Sequence, residues 1–162
     1  MIQNLHTPGL DVIMIFISKL GNKGMVWIVM GLAMLCIKRY RKCGIVVLLS
    51  LFTSVVFGNM VLKNLVERPR PCWVDTSVKL LIHNPRDYSF PSGHTFSSFA
   101  AAFAVFLCHK KIGAAALVLA ALIGFSRLYL FVHYPTDVLS GMMLGILSAF
   151  VIFKLVNSYV KM

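Results

Sequence analysis

The sequence Tyr88-Ser-Phe-Pro-Ser-Gly-His-Thr95 is a turn that leads directly into an apolar run of small residues. Proline, serine and glycine at 91–93 interrupt regular structure, and Ser92 is a residue type that commonly caps a helix. His94 then falls in the first helical turn. Because that turn exposes unpaired N–H groups and partial positive charge, it is suited to binding an anion. An ordinary capped helix with a surface histidine would show the same sequence pattern. The rest of the chain is therefore needed to distinguish it from an anion-binding site.

The composition indicates an integral membrane protein. Of the 162 residues, 59% are hydrophobic and only 13% are charged, and the mean hydropathy is +0.83. This is too apolar for a soluble domain of such length. The net charge is +11, which in a soluble protein would favour nucleic acid. Here many basic residues stand at the ends of apolar runs, as membrane topology requires, so we expect a membrane and no nucleic acid as partner.

The apolar runs predict an all-α fold, a polytopic membrane helix bundle with about five transmembrane helices. A bilayer needs about 20 apolar residues per helix. The predicted spans are Met25–Ile37, Gly44–Leu62, Thr95–Cys108, Ile112–Val132 and Val138–Val156. The shorter segment Pro8–Leu20 is predicted to be an N-terminal interfacial helix. Its alternative is the first part of one long kinked helix over residues 8–38. We expect residues 1–162 to form a single membrane-embedded domain.

The basic residues predict the orientation in the membrane. Four of them crowd into Lys38–Lys42, and dense positive charge in a short loop marks the cytoplasmic side. Alternation then places His109–Lys111 and the C-terminus on that side, and Lys63–Pro91 and Val132–Asp137 on the opposite side. We therefore expect a multi-pass protein of the bacterial plasma membrane with its polar segments on the extracytoplasmic face.

Besides the Pro91–His94 turn, two polar blocks carry residues suited to chemistry, Lys63–Pro71 and Ser126–Asp137. Lys63 ends an apolar span and Arg70 lies in a proline-stiffened turn, where both can equally be snorkelling or topology-setting charges. Arg127 interrupts an apolar run, which is costly unless it faces a polar cavity or a partner. His133 and Asp137 flank Pro135, and a carboxylate close to a histidine fixes its tautomer and makes its other nitrogen nucleophilic. An interfacial histidine and an N-cap aspartate are the simpler interpretation of that pair.

The three blocks together describe one site, because all of them map to the same membrane face. They combine three cations, a helix start, two histidines and one carboxylate, a set that suits a tetrahedral oxyanion passing through a trigonal bipyramid. No Gly-rich phosphate-binding loop of the Walker type is present. We expect no metal and no other cofactor, because a carboxylate-bridged two-metal site needs clustered acids. The acids are scattered instead: Asp11, Glu67, Asp75, Asp87 and Asp137.

The spacing of these blocks resembles the three signatures of the type-2 phosphatidic acid phosphatase superfamily. These are Lys-x6-Arg-Pro, Pro-Ser-Gly-His and Ser-Arg-x5-His-x3-Asp, found here in order at Lys63–Pro71, Pro91–His94 and Ser126–Asp137. The motif core at 63–137 covers nearly half of the chain with no departure at a signature position. Within this superfamily of lipid phosphatases and vanadium haloperoxidases, the chain looks like a compact bacterial member similar to undecaprenyl-pyrophosphate phosphatases.

The resemblance implies a hydrolase that works through a phosphohistidine. His133 would attack phosphorus and Asp137 would orient it. His94 would protonate the leaving oxygen and then activate water. The non-bridging oxygens would be held by Lys63, Arg70, Ser92, Gly93 and Arg127.

The substrate implied is a lipid phosphate or diphosphate at the membrane surface. Undecaprenyl pyrophosphate is the first expectation, because Arg68, Lys79 and Arg86 offer further positive charge for a second phosphate, although simple solvation of an outer loop explains them too. Phosphatidic acid and phosphatidylglycerophosphate are the alternatives. The haloperoxidases are soluble, which the hydropathy argues against. A non-enzymatic lipid-phosphate binding or transport protein would not need the complete histidine and aspartate set.

The last apolar run carries a further pattern, Gly141-Met-Met-Leu-Gly145. Two glycines four residues apart form a small-residue face on a helix. Such a face is suited to close packing within the bundle or to a homodimer.

Overall fold

The computed structural model describes residues 2–159, which are predominantly helical and contain no strand. The all-α prediction is confirmed. The helices are α1 (Pro8–Leu20), α2 (Met25–Cys36), α3 (Arg41–Thr53), α4 (Lys63–Val66), α5 (Pro71–Val74), α6 (Gly93–Cys108), α7 (Lys110–Tyr129) and α8 (Pro135–Tyr159).

The first two helices are joined by a sharp bend. The side chain of Thr7 caps α1 by accepting a hydrogen bond from the Leu10 amide at 3.4 Å. A short 3₁₀ segment at Asn22–Gly24 follows, with φ of 52° at Lys23 and 68° at Gly24. Helices α1 and α2 meet there at 46° and are long and apolar enough to span a membrane only when taken together. Residues 8–36 therefore form one bent pair of helices, and α2 alone is too short to be the separate span predicted at Met25–Ile37.

The third helix is longer than the sequence indicates. Helix α3 continues through a π-helical stretch, Ser54–Leu62, into α4. The predicted end at Leu62 is wrong, because the helix runs to Val66 and Lys63 lies on it. The π-helical stretch brings Gly58 so close to Phe96 that a Cβ atom there would lie 2.8 Å from the ring. Wider π-helical turns are common near functional sites.

Helix α6 is the centre of the bundle and packs mainly against α7 and α8. The small-residue face of α8 meets its backbone. A Cβ on Gly141 would lie 2.8 Å from the Ser92 carbonyl oxygen, and one on Gly145 would lie 2.7 Å from that of Phe96. This pattern therefore serves close packing within the bundle. Across the core, Trp27 Nε1 donates to Ser98 Oγ at 2.9 Å.

By length and composition, three helical stretches can cross a membrane: Lys38–Val74, Lys110–Tyr129 and Pro135–Tyr159. The bent pair α1–α2 makes a fourth when counted as one span, and α6 is apolar but shorter, at 16 residues. Large apolar side chains such as Phe16, Phe57 and Met143 are exposed on the outside. The prediction of a multi-pass membrane bundle is confirmed.

The two ends of the bundle differ. At one end the rings of Tyr40 and His109 lie 4.8 Å apart, so the basic segment after α2 adjoins the junction of α6 and α7. At the other end lie the α1–α2 bend and the starts of α6 and α8, with His94 contacting Asn22. The C-terminal end, predicted to lie with the basic segment, falls partly outside the described residues.

Candidate active site

A cavity of about 680 Å³ lies between the α1–α2 bend, α3 with its π-helical stretch, the start of α6, and the end of α7 with the connection that follows it. Six of the predicted site residues line it: Lys63, Arg70, Gly93, His94, Arg127 and His133. The other two, Ser92 and Asp137, are fully buried and lie behind this wall. The structure thus brings together residues from all three sequence blocks.

The connection between α7 and α8 positions His133. It turns through Phe131, whose φ is 58°. The carbonyl of Val132 accepts a hydrogen bond from Arg70 Nη1 at 2.7 Å, which ties this connection to the Arg70 turn. Pro135 then begins α8, where its missing N–H costs nothing. The His133 side chain is left almost completely buried between the two helices.

The tautomer of His133 follows from its neighbours. Its Nε2 lies 3.0 Å from Arg70 Nη1, and a guanidinium only donates, so Nε2 carries the lone pair and Nδ1 the proton. Nδ1 lies 3.5 Å from Asp137 Oδ2. Burial, together with the charges of Arg70 and Arg127, outweighs the effect of Asp137 and lowers the pKa of His133 to about 3. The ring is therefore neutral at physiological pH, with its unprotonated nitrogen facing the cations.

Asp137 is held from several directions in the first turn of α8. Its Oδ2 accepts from Ser89 Oγ at 2.5 Å and from the Tyr134 amide at 2.9 Å. Its Oδ1 accepts from Arg68 Nη1 at 2.7 Å. The Arg68 guanidinium also lies over the Tyr134 ring, 4.0 Å from its centroid. These contacts fix the carboxylate behind His133.

The prediction that Arg68 serves a second phosphate is therefore wrong, because this guanidinium is bound to Asp137 and does not line the cavity. Lys79 and Arg86 do not line the cavity either. Both sit in the irregular segment between α5 and α6, and that position leaves them to solvation. Instead, Lys23 of the α1–α2 bend is the additional basic residue on the cavity wall.

Two of the three cations share a carboxylate that the sequence analysis did not assign. Lys63 and Arg70 are 6% and 2% exposed, and both donate to Asp87, Arg70 through Nη2 at 2.9 Å. Partial burial opposes ionisation of Asp87, but the hydrogen bond and charge of Lys63 and then of Arg70 outweigh it and lower the pKa of Asp87 to about 2. Asp87 thus places an ionised carboxylate where these cations would meet an anionic ligand.

The third cation retains a free donor. Arg127 is 5% exposed on α7, and its Nη1 donates to Ser18 Oγ. Its Nε is buried without a hydrogen-bond partner among residues 2–159. Buried donors are nearly always paired, so an unpaired one beside a cavity is a candidate contact for a ligand. An oxyanion in the cavity would supply the missing acceptor.

The start of α6 departs from the predicted capping. Ser92 is the N-cap residue, but its hydroxyl accepts from Thr95 Oγ1 at 2.9 Å and does not cap the helix. Its amide donates to the Asp137 carbonyl oxygen at 3.1 Å, which ties the starts of α6 and α8 together. At Gly93 a Cβ would lie 2.8 Å from Asn59 Oδ1, so a side chain here would have to displace the Asn59 amide.

His94 follows in the first turn of α6, with Nε2 2.9 Å from Oδ1 of Asn22. Sequence reasoning missed this contact, as it missed Asp87, Ser89 and the role of Arg68. Asp87 precedes the stretch Tyr88–Thr95 and Ser89 lies within it, and polar residues beside a motif are candidates for a role in the site. Asn22 lies in the helix-breaking segment 21–24, more than 70 residues from His94, and no motif near it indicates a role in the site.

The fold and the site define a membrane-embedded helical protein with a buried histidine on a cavity that Lys63, Arg70 and Arg127 also line. Residues 44–161 match the PAP2 superfamily. The chain belongs to that superfamily.

Similar proteins include the undecaprenyl-diphosphatase of Sulfolobus acidocaldarius, 36% identical over 84% of this chain and 66% of that protein. Phosphatidylglycerophosphatase B of Bacillus subtilis is 35% identical over 91% of this chain and 76% of that protein. The chain spans about two thirds of the length of the first curated relatives it matches.

Among solved structures, Aquifex aeolicus LpxE superposes with a TM-score of 0.81 at 30% identity, covering 94% of this chain and 90% of that one. The PAP2-type phosphatidylglycerolphosphate phosphatase of Bacillus subtilis superposes with a TM-score of 0.79 at 29% identity, covering 99% and 83%. The superposition extends over nearly the whole of this chain.

Proposed function

We propose that this chain is an integral membrane phosphatase that hydrolyses a lipid phosphate or diphosphate through a phosphohistidine. One observation carries the proposal. The unprotonated Nε2 of a neutral His133 faces Arg70 at 3.0 Å, on a cavity that Lys63 and Arg127 also line. A neutral nucleophile beside three cations is the arrangement that a phosphoryl group requires.

In the first step, Nε2 of His133 attacks phosphorus while the bond to the leaving oxygen breaks. His94 gives a proton to that oxygen, and the phosphoryl group stays on His133. A phosphate oxygen replaces Nε2 as the neighbour of Arg70. The oxyanion charge is met by Lys63, Arg70, Arg127 and the Gly93 amide, and by Ser92 once its hydroxyl turns from Thr95. Each donor of this kind contributes on the order of 10²- to 10³-fold in rate.

In the second step, water attacks the phosphohistidine. His94, now neutral, accepts a proton from that water as the P–N bond breaks. Inorganic phosphate leaves and His133 returns to its neutral form, with Asp137 holding Nδ1–H throughout.

For the substrate we propose undecaprenyl diphosphate. The relatives from Sulfolobus acidocaldarius and Bacillus subtilis carry the name undecaprenyl-diphosphatase, and Lys23 adds a positive charge at the cavity wall for a second phosphate. The cavity also has an apolar side between α2 and α3 that suits a lipid chain. Its apolar lining consists of Ile28, Leu48, Leu51, Phe52 and Val55.

Phosphatidylglycerophosphate is the second candidate. The relative phosphatidylglycerophosphatase B is 35% identical, and a solved structure bearing that activity in its name superposes over 99% of this chain. Phosphatidic acid shares its phosphomonoester chemistry. These lipids differ from undecaprenyl diphosphate in having an alkoxide leaving group and no phosphoanhydride bond.

The test is phosphate release by the purified chain from undecaprenyl diphosphate, phosphatidylglycerophosphate and phosphatidic acid. We expect release that survives EDTA and is inhibited by vanadate, which mimics the pentacoordinate phosphoryl group. The diphosphate should give the highest kcat/KM. Lipid binding without release would indicate a non-enzymatic binding protein, and loss of activity with EDTA that Mg²⁺ restores would overturn the metal-free mechanism.

We further propose that the site faces the extracytoplasmic side of the plasma membrane. The argument is the density of basic residues in Lys38–Lys42, at the end of the bundle where Tyr40 meets His109. Positive charge in short loops is retained in the cytoplasm. The site is at the other end of the same helices.

A further inference from the structure

The bend between α1 and α2 contacts the imidazole of His94 through a hydrogen bond and through direct packing. Oδ1 of Asn22 lies 2.9 Å from His94 Nε2. A Cβ on Gly21 would lie 2.9 Å from His94 Cδ2, so the bend also packs directly on the ring. The superfamily match begins at residue 44, and Asn22 lies outside it.

The bend itself is held in an uncommon backbone conformation. Lys23, a residue with a side chain, has φ of 52°, and Gly24 has φ of 68°. Such conformations persist when the surrounding structure imposes them. Here they direct Asn22 to the start of α6.

The contact decides which nitrogen of His94 is available. The amide oxygen of Asn22 accepts, so Nε2 carries a hydrogen. Within the described part of the chain Nδ1 has no hydrogen-bond partner, and His94 lines the cavity. Nδ1 is therefore the nitrogen left to meet a ligand.

We propose that Asn22 is a positioning residue for proton transfer, holding His94 so that Nδ1 faces the leaving oxygen. This inference rests on the proposed phosphatase function. The proton on Nδ1 passes to the leaving oxygen, whose bond to phosphorus breaks and which keeps the electron pair. The Nε2–H group of His94 keeps its hydrogen bond to Asn22 Oδ1 throughout, so the ring remains in place and Nδ1 can accept a proton from water in the second step.

An amide in this place differs in effect from a carboxylate. Asn22 orients the ring but adds no negative charge to stabilise an imidazolium, whereas an aspartate would do so. The charged and titratable groups that line the cavity around His94 are Lys23, Lys63, Arg70, Asp87, Arg127 and His133. An amide partner suits a diphosphate, whose leaving group is a phosphate that needs little help from an acid. An alkoxide leaving group depends on the proton much more strongly.

The experiment compares Asn22→Leu and Asn22→Asp in the purified full chain. Asn64 provides matched controls, Asn64→Leu and Asn64→Asp, because it is exposed and bonds only to the Met60 carbonyl oxygen at 2.8 Å. The substrates are undecaprenyl diphosphate, phosphatidic acid and nitrophenyl phosphate. Rates are measured as single-turnover bursts and as kcat and KM across pH.

For Asn22→Leu we expect the burst rate to fall about 100-fold with phosphatidic acid and a few-fold with nitrophenyl phosphate, with KM within about twofold. The loss of burst rate with undecaprenyl diphosphate should lie between the losses with these two substrates. For Asn22→Asp we expect the alkaline limb of kcat to move up by about one pH unit, because the new carboxylate favours the protonated ring. The Asn64 variants should match wild type in both measurements.

Equal losses with all substrates together with an unmoved alkaline limb would show that Asn22 only packs, and would overturn the inference. If Asn22→Leu does not fold, the pH profile of the isosteric Asn22→Asp decides. Wild-type protein that releases phosphate from none of the substrates would overturn the proposed function itself. Active wild type with unaffected Asn22 variants would overturn the positioning role alone.

Discussion

Arg68 and Asp137 form an ion pair behind His133, with Arg68 Nη1 2.7 Å from Asp137 Oδ1. The Asp137 carboxylate is completely buried, whereas the Arg68 side chain is 33% exposed. The other carboxylate oxygen is the one near His133 Nδ1. Arg68 thus holds the carboxylate that orients the histidine, while Arg70, two residues on, contacts the histidine from the opposite nitrogen.

Replacing Arg68 with Gln should lower the single-turnover rate about tenfold with KM little changed. A charge-assisted hydrogen bond contributes about 1.5–3 kcal/mol, and we take the lower end because Arg68 is partly exposed. Arg68→Lys should fall between, because an ammonium cannot both bond Asp137 and stack flat on Tyr134. The measurements are burst kinetics and the ¹⁵N shift of His133 Nδ1.

Lys154→Gln is the control, since it removes one positive charge from α8 far from the cavity. It should leave both the burst and the ¹⁵N shift unchanged. An Arg68→Gln protein with a normal burst rate and a normal KM would show that Arg68 has no role in the reaction. A raised KM as the only defect would show that Arg68 contacts the substrate and does not act through Asp137.

Asp87 should compete with the substrate for Lys63 and Arg70. Its low pKa of about 2 keeps it ionised, so an incoming phosphate has to displace it from both cations. Asp87→Asn removes that competing charge, and the inhibition constant for vanadate should fall about tenfold, which corresponds to ~1.4 kcal/mol. Inhibition of nitrophenyl phosphate hydrolysis measures it.

The matched control for Asp87 is Asp75→Asn. Asp75 belongs to the same segment between α5 and α6 and accepts hydrogen bonds from Ser77, from the amide at 3.0 Å and from the hydroxyl at 2.6 Å. Its removal should leave vanadate inhibition unchanged. Weaker inhibition in Asp87→Asn would mean that Asp87 positions Lys63 and Arg70 for the anion and does not oppose it.

His133 should remain neutral far below the pH at which free histidine titrates. Its pKa is about 3 in the folded chain, against about 6.5 for an unfolded histidine. Between these values the unfolded chain binds more protons, so this group makes the free energy of unfolding fall as pH drops from about 6.5 towards 3. ¹⁵N-histidine NMR at pH 5 should show a neutral Nδ1–H ring, with His133→Gln assigning the signal. An imidazolium signal at pH 6 would contradict this.

The sequence predicted the helical bundle and the residues of the cavity because both depend on local pattern. Apolar runs set the helices, and the spacing of basic and histidine residues at their ends placed three blocks on one face. It assigned Arg70 to the oxyanion and Arg68 to a second phosphate, and could not show that Arg68 binds Asp137 instead. Which guanidinium reaches the cavity depends on where the α7–α8 connection lies.

Two other features depend on contacts distant in sequence. The π-helical stretch at Ser54–Leu62 meets Phe96 of α6, which no local pattern records. The contact of Asn22 with His94 needs the 46° bend and the packing of α6 against it. The bond from the Ser92 amide to the Asp137 carbonyl oxygen likewise joins residues 45 positions apart, at the starts of α6 and α8.

The orientation in the membrane can be tested with single cysteines in a cysteine-free background. A cysteine at Ser77, exposed in the segment between α5 and α6, should react with a membrane-impermeant thiol reagent in intact cells. One at Tyr40, in the basic segment, should react only after permeabilisation. The reverse pattern would place the cavity on the cytoplasmic side.

The two histidines should separate by leaving-group chemistry. His133→Ala should show no burst with any substrate and no phosphate trapped on the protein after an alkaline quench, because no nucleophile remains. His94→Ala keeps Nε2 of His133 and should still label. Its burst should fall far more with phosphatidic acid than with nitrophenyl phosphate, whose leaving group needs little proton. The burst of Asp137→Asn should lie between that of wild type and the absent burst of His133→Ala, since the His133 ring is present but poorly oriented. Label that persists in His133→Ala and vanishes in His94→Ala would exchange the roles of the two histidines.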